Sequence, residues 1–317
     1  MRSEKRYYQL ITNSLIMKMN VNFMRNMSIV MLMFFSLISC QKDNNKLNDS
    51  PEEKQQFASA SSESDADAQS IFDDVSDNVL GVNGEIAIGG TGVFTADGAA
   101  STRTLSINDD TVKCYVVTIT HINNDHAFPV KVEIDFGVGC TAKDGVTRKG
   151  KIIAVYSQRM LLPGAVATTT FDGYYVNGVH VEGTHTLTNT SSMDQLSLQA
   201  KITGAKLTYE NGNFIEWNSE KTLHMSEGFG TLNPHDDVFQ ISGSSNGSTQ
   251  RGDKLFQWSA ETTSPLIKKF TCKRIVQGVI TYKRNNDKTA VLDYGDGSCD
   301  NKATLTVGSW SVEITLR

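Results

Sequence analysis

The chain has 317 residues, 39% of them hydrophobic and 21% charged, with 30 Lys+Arg against 35 Asp+Glu and a formal net charge of −5. That length and composition allow a sizeable core and do not resemble a disordered chain. An acidic balance without a basic cluster excludes nucleic acid as a partner, because phosphate binding is carried by Lys and Arg.

Residues 1–39 read as a lipoprotein signal peptide. Lys18 and Arg25 supply its positive region, Ile29 to Ile38 its apolar stretch, and Leu37-Ile38-Ser39 leads directly into Cys40. An apolar run of about ten residues is half of what a bilayer span needs. A cysteine after Leu-Ile-Ser, followed by a polar linker, marks the lipid attachment site, and acyl chains on Cys40 hold a protein to a membrane at about 0.8 kcal/mol per buried CH2. Met17, Met24 and Met27 precede the run and leave the start of translation open. The leader is basic (Arg2, Lys5, Arg6, Lys18 and Arg25 against Glu4), so the mature chain is more acidic than the whole.

Residues 40–64 are rich in Asn, Asp, Ser, Lys, Gln and Glu, a composition expected to form a flexible tether. Over 65–80, Ala68, Ile71, Phe72, Val75 and Val79 fall three or four apart, with Asp65, Asp67, Asp73, Asp74 and Asp77 between them. This spacing predicts a short amphipathic helix stopped by Gly81.

From 81 to 317 the period changes to two. Val130, Val132, Ile134 and Phe136 alternate with polar residues, as do Leu196, Leu198, Ala200 and Ile202, and finally Trp310, Val312, Ile314 and Leu316. Asp144-Gly145, Asn177-Gly178, Asn211-Gly212 and Asp296-Gly297 supply turn signals between such runs. The expected class is all-β with mostly antiparallel sheets and one short N-terminal helix.

The other four cysteines fall at matched spacing, Cys114 with Cys140 and Cys272 with Cys299. Around the second member of each pair the sequence repeats: Glu133-Ile134-Asp135-Phe136-Gly137-Val138-Gly139-Cys140 precedes Gly150 and a strand at 152–156. Val291-Leu292-Asp293-Tyr294-Gly295-Asp296-Gly297-Ser298-Cys299 precedes Gly308 and a strand at 310–316. We read a duplicated β domain over 81–317, with halves near 81–200 and 201–317 and one disulfide per copy, built as a large sandwich or two stacked lobes. Other pairings stay open from sequence. The absence of a C-x-x-C pair and of His at zinc-ligand spacing favours structural bridges over metal or redox chemistry.

Candidate sites are weaker. Gly243-Ser244-Ser245-Asn246-Gly247 fits the G-x-S-x-G pattern, but a polar turn follows it where a nucleophile elbow needs a helix. Arg251-Gly252-Asp253 resembles an adhesion tripeptide and equally suits a turn. Asp293, Asp296 and Asp300, beside Asn301, are a candidate calcium site, the one exception to an expectation of no cofactor. His235-Asp236-Asp237 is a lesser candidate of the same kind. His185 lies in register with Val181 and Leu187, as a core histidine does, whereas His180 and Glu182 share the polar face, where such a pair can move a proton or hold a metal. Adjacent Tyr174 and Tyr175 must point to opposite faces. One of them, or Trp217 or Trp258, is a candidate for sugar stacking, whereas Trp310 alternates with core residues.

The strings Ile134-Asp135-Phe136-Gly137-Val138-Gly139-Cys140, Asp144 to Lys151, Phe171 to Asn189, Asp236 to Phe239 and Asp293 to Thr304 resemble a group of Bacteroidota surface lipoproteins to which no activity is attached. The resemblance covers nearly all of 65–317 and transfers no functional residue. Gln41-Lys42-Asp43 is similar to the short acidic signals that send such lipoproteins to the outer face of the outer membrane. The expectation is therefore a protein anchored through its lipid to the outer membrane, on the periplasmic or the surface leaflet, acting as a non-enzymatic binding module for glycan or protein. An envelope lipid-binding or assembly factor is the second reading, and a glycan or peptide hydrolase the third.

Overall fold

The computed structural model describes residues 50–80, 103–105, 114–123, 126–142, 144–160, 162–228, 236–272, 274–285 and 287–316. The signal peptide, Cys40 and the first part of the tether lie outside the described residues.

The fold opens with a 30-residue helix, α1 (Pro51–Leu80). The Ser50 hydroxyl accepts the Glu53 backbone N–H at 3.2 Å, and the Glu53 carboxylate accepts the Ser50 N–H at 2.9 Å. This reciprocal capping box satisfies two donors at the helix start, with Pro51 in the first turn where its missing N–H is no loss. The helix therefore begins at 51 rather than 65, and the part of the supposed tether from 51 to 64 is helical. That segment is polar by composition, yet Phe57, Ala58, Ala60, Ser61, Ser62 and Ser64 are all buried. Small side chains let surrounding backbone approach. At 100° per residue the buried positions from 57 to 65 cover an arc of about 200°, much wider than the single stripe of a helix lying on a surface.

Fifteen strands follow: β1 (Arg103–Leu105), β2 (Val116–His121), β3 (Val130–Asp135), β4 (Cys140–Thr141), β5 (Thr147–Tyr156), β6 (Val166–Val176), β7 (Val179–Asn189), β8 (Ser197–Thr208), β9 (Phe214–Glu227), β10 (Val238–Arg251), β11 (Lys254–Lys269), β12 (Gln277–Arg284), β13 (Asp287–Asp296), β14 (Lys302–Val307) and β15 (Trp310–Thr315). They form one antiparallel sheet in chain order, with short β4 set aside against β5. The all-β, antiparallel expectation holds. The sandwich and the two stacked lobes do not, since every strand joins a single sheet and the division at 200/201 falls inside β8.

A sheet this wide twists and curls, and here it curls about α1, which touches β6 and each of β9 to β14. The core is one continuous cluster of helix and sheet residues. Phe72 sits at its centre, stacked on Trp217 with ring centroids 5.8 Å apart and edge-on to Phe171 at 6.0 Å.

The two disulfides are Cys114–Cys140 and Cys272–Cys299, as the spacing suggested. Each clamps the open end of an antiparallel pair, β2 with β3 and β12 with β13. The repeat is visible in detail beside them. Asp135 Oδ1 accepts the Gly137 N–H at 2.8 Å and Asp293 Oδ1 accepts the Gly295 N–H at 2.9 Å. The aromatic between each pair, Phe136 or Tyr294, is buried. The feature that the two sequence strings share is thus a clamped hairpin within one sheet, not a lobe.

Candidate functional site

The interior of the curl holds a chain of polar contacts between α1 and the sheet. At its middle is Asp65, whose carboxylate accepts hydrogen bonds from Trp217 Nε1 (2.8 Å), Ser245 Oγ (2.6 Å) and Tyr282 OH (3.1 Å). All four residues are buried. Farther along the helix, Arg148, 2% exposed, donates from Nε to Asp74 at 3.0 Å and from Nη2 to both Asp74 and Asp144. Tyr156 OH donates to the Val79 carbonyl at 2.6 Å, and Lys221 Nζ to Gln69 Oε1 at 2.5 Å. These bonds fix both the rotation and the depth of the helix, which a face of Ala and Ser cannot do by shape alone.

The Gly243–Gly247 segment lies within β10, so no elbow exists. Ser245 points inward and its hydroxyl serves Asp65. The glycines have packing reasons: a Cβ at Gly243 would stand 2.2 Å from the Glu220 carbonyl, and one at Gly247 2.7 Å from the Trp258 ring. Arg251 is likewise engaged, with its guanidinium on Glu63 (3.0 Å), Ser64 (3.2 Å) and the Ala60 carbonyl (3.3 Å) of α1, which leaves no extended adhesion loop.

Asp293, Asp296 and Asp300 are not gathered around a common point. Each folds back on its own chain, to the N–H groups of Gly295, Ser298 and Lys302 at 2.9, 3.1 and 3.1 Å. The Ser298 hydroxyl and N–H hold the Asp296 carboxyl below the usual range. Three side-chain-capped turns account for this acidic run, and among the described residues no group of three His, Cys, Asp or Glu could hold a metal ion. His235 lies outside the described residues.

His185 is a core residue, with 0% exposure. Its Nε2 lies 3.2 Å from Ser76 Oγ, but this is no nucleophile and base. The Ser76 hydroxyl donates to the Phe72 carbonyl at 2.8 Å, so it accepts from the imidazole, and no carboxylate orients Nδ1. Burial pulls the His185 pKa down to about 4. On the neighbouring side of α1, water reaches Asp73 and Asp77. The protein nevertheless crowds them enough to raise both carboxyls, Asp77 to about 7, while Lys221 and Lys268 of the sheet and Arg274 of the β11–β12 connection oppose the rise at Asp73.

Trp217 and Trp258 both point inward and are buried, which removes them as sugar platforms. Of the adjacent tyrosines, Tyr174 is buried and Tyr175 faces out. Tyr175 belongs to a feature that sequence reading missed. Strand register places Lys149, Tyr175, His180, Thr208, Phe214, Gln250 and Leu255 side by side across β5 to β11. Their chain neighbours Tyr174, Val181, Leu207 and Ile215 are buried, so this row lies on the outer face. The His180 ring stacks on Tyr175 at 4.7 Å and Lys149 Nζ sits 4.9 Å over the same ring. Lys206 Nζ lies 5.1 Å over Phe214, and Leu255 is 53% exposed. A second row runs beside it: Glu182, Lys206, Glu216, Ser248 and Gln257. His180 Nδ1 is 3.8 Å from Glu182 and Lys206 Nζ 3.9 Å from Glu216. His180 and Glu182 thus stand on the outer face of the sheet, 3.8 Å apart rather than at hydrogen-bond distance. Comparison with known proteins adds nothing to this geometry: no family model, no curated protein and no solved structure matches the chain.

Proposed function

We propose that this chain is a cell-envelope protein, held at the outer membrane by acyl chains on Cys40, and that it works as a non-enzymatic surface binding module for glycan or protein. The observation that carries the reading is the occupation of the inner face of the sheet by α1, bonded in place through Asp65, Asp74 and Val79. With its inner face filled, the sheet has a rigid outer face and strand-connecting loops to offer. A lipid-carrying role loses support on the same ground, because the apolar side of the curl is packed against Phe57, Phe72, Val75 and Val79 of the helix. A hydrolase loses support because Ser76 with His185, and Ser245 with Asp65, are arranged as structural hydrogen bonds. Such a platform requires no bond-breaking chemistry, only a fixed arrangement of side chains.

Two measurements test the reading. Labelled palmitate is expected on the wild-type protein, which then sediments with outer membranes, and on neither count in Cys40→Ala; equal labelling refutes the anchor. Purified protein incubated with isolated envelope glycan and protein is expected to be retained by one of them without releasing reducing ends or peptides. Such release overturns the non-enzymatic assignment.

A further inference from the structure

Resting on that reading, we propose that the outer-face row centred on Tyr175, His180 and Phe214 is the binding site, and that its ligand is an uncharged polysaccharide chain lying across the strands. Several features of the row point to this chemistry.

Successive positions in a cross-strand row are about 5 Å apart, close to the length of one sugar unit, so a chain crossing β5 to β11 meets a new side chain at each residue over about 30 Å. The row offers two rings, Tyr175 and Phe214, separated by His180 and Thr208. Rings in that setting take the apolar faces of pyranoses, and the hydroxyl-bearing edges then fall over the parallel polar row. That row carries acceptors and donors in alternation, Glu182, Lys206, Glu216 and Ser248. Across the two rows Lys149 and Lys206 offset Glu182 and Glu216, which disfavours a polyanion such as an acidic polysaccharide or an anionic lipid surface, both of which need a cationic excess.

Lys149 and Lys206 lie over the ring faces of Tyr175 and Phe214 in the free protein. A cation over a ring at a wetted surface is held only weakly, and Lys206 is nearly half exposed. Each lysine therefore swings off its ring readily when a sugar replaces it. Lys206, already beside Glu216, then donates to a sugar hydroxyl. Flat rings held upright by a rigid sheet lose little freedom on binding, the usual advantage of aromatic contacts.

The test is electrophoresis of the detergent-solubilised mature protein through native gels cast with soluble β-glucan, xylan, mannan, α-glucan or hyaluronate, with sedimentation on phosphatidylglycerol-containing vesicles as a further arm. Retardation in at least one neutral gel is expected. Tyr175→Ala combined with Phe214→Ala should weaken it about tenfold or more, while Lys302→Ala on β14, outside the row, leaves it unchanged. Melting curves confirm that the variants fold, and Leu255→Ser serves as a milder second probe of the row. No retardation in any neutral gel, retardation indifferent to the double variant, or binding confined to hyaluronate or to the vesicles overturns the proposal. If neutral glycans fail while an envelope protein is retained, the binding-module reading stands and only this site assignment falls.

Discussion

Asp65 shows how a single residue can hold a large structure in register. Its buried carboxylate accepts from three neutral donors on β9, β10 and β12. Removing it strands those donors in a dry interior, which costs about 1–3 kcal/mol per group. Asp65→Ala should therefore lower the unfolding free energy by about 3–5 kcal/mol in urea titrations, whereas Asp65→Asn, which keeps an acceptor oxygen, should cost clearly less. Equal losses would show that packing, not hydrogen bonding, sets the effect. His185 and Asp77 make stability depend on pH in opposite senses. The His185 pKa falls from 6.5 to about 4 in the fold, so between those values the unfolded chain binds more protons and stability drops as the pH drops. Asp77 is raised from 3.8 to about 7, by burial first and by the charges of Asp73 and Asp74 second. Here the native state binds the extra proton, and stability drops as the pH rises through that window. Water at Asp77 screens its share, so His185 governs the acid side and the melting temperature should peak near pH 6–7. Relative to His185→Gln, the wild type should lose up to about 3 kcal/mol between pH 7 and pH 4. Asp77→Asn should gain on the wild type at pH 8 and not at pH 5.

At the scale of elements, the helix and β5 are joined by Arg148 and Asp74. Taking one partner from a buried pair leaves the other uncompensated, so Arg148→Met is expected to cost about 2–4 kcal/mol, with Asp74→Leu in the same chain restoring part of it. An additive double-mutant cycle would show that the two do not act together. Close approach matters as much as charge here: a Cβ on Gly150, at φ +77°, would stand 2.0 Å from the Gly173 carbonyl. Gly150→Ala should destabilise by about 2–4 kcal/mol, measured in the same titrations. The elements differ in how far the sequence declared them. Strands such as β3, β8 and β15 were legible because one face is wet and the alternation is clean. The first half of α1 was not, since its buried face is Ala and Ser, and only the Ser50-Pro51-Glu52-Glu53 cap signalled it. The outer-face row was invisible for another reason. Register shifts between Lys149 and Lys151, between Thr169 and Tyr175 and between Glu182 and Thr184 decide which residues stand side by side, and no local pattern encodes them.

For the whole molecule, the two cysteine pairs expected from their spacing lie at disulfide distance, and each clamps a hairpin, one at either side of a single sheet. Each bridge closes a loop of 26 or 27 positions, worth roughly 3–4 kcal/mol by the chain-entropy account. Reduction should shift the urea midpoint clearly downward, and peptide mapping without reductant should recover 114 with 140 and 272 with 299. Crossed partners would contradict the hairpin clamps. The separations within the Asp65 cluster carry a last implication. Its donors lie 152, 180 and 217 residues farther along the chain. A helix made early in synthesis must wait for most of the sheet before its acidic centre is satisfied. Folding of such a chain is slow, and a polypeptide ended before Tyr282 would lack one of the three donors that satisfy the Asp65 carboxylate.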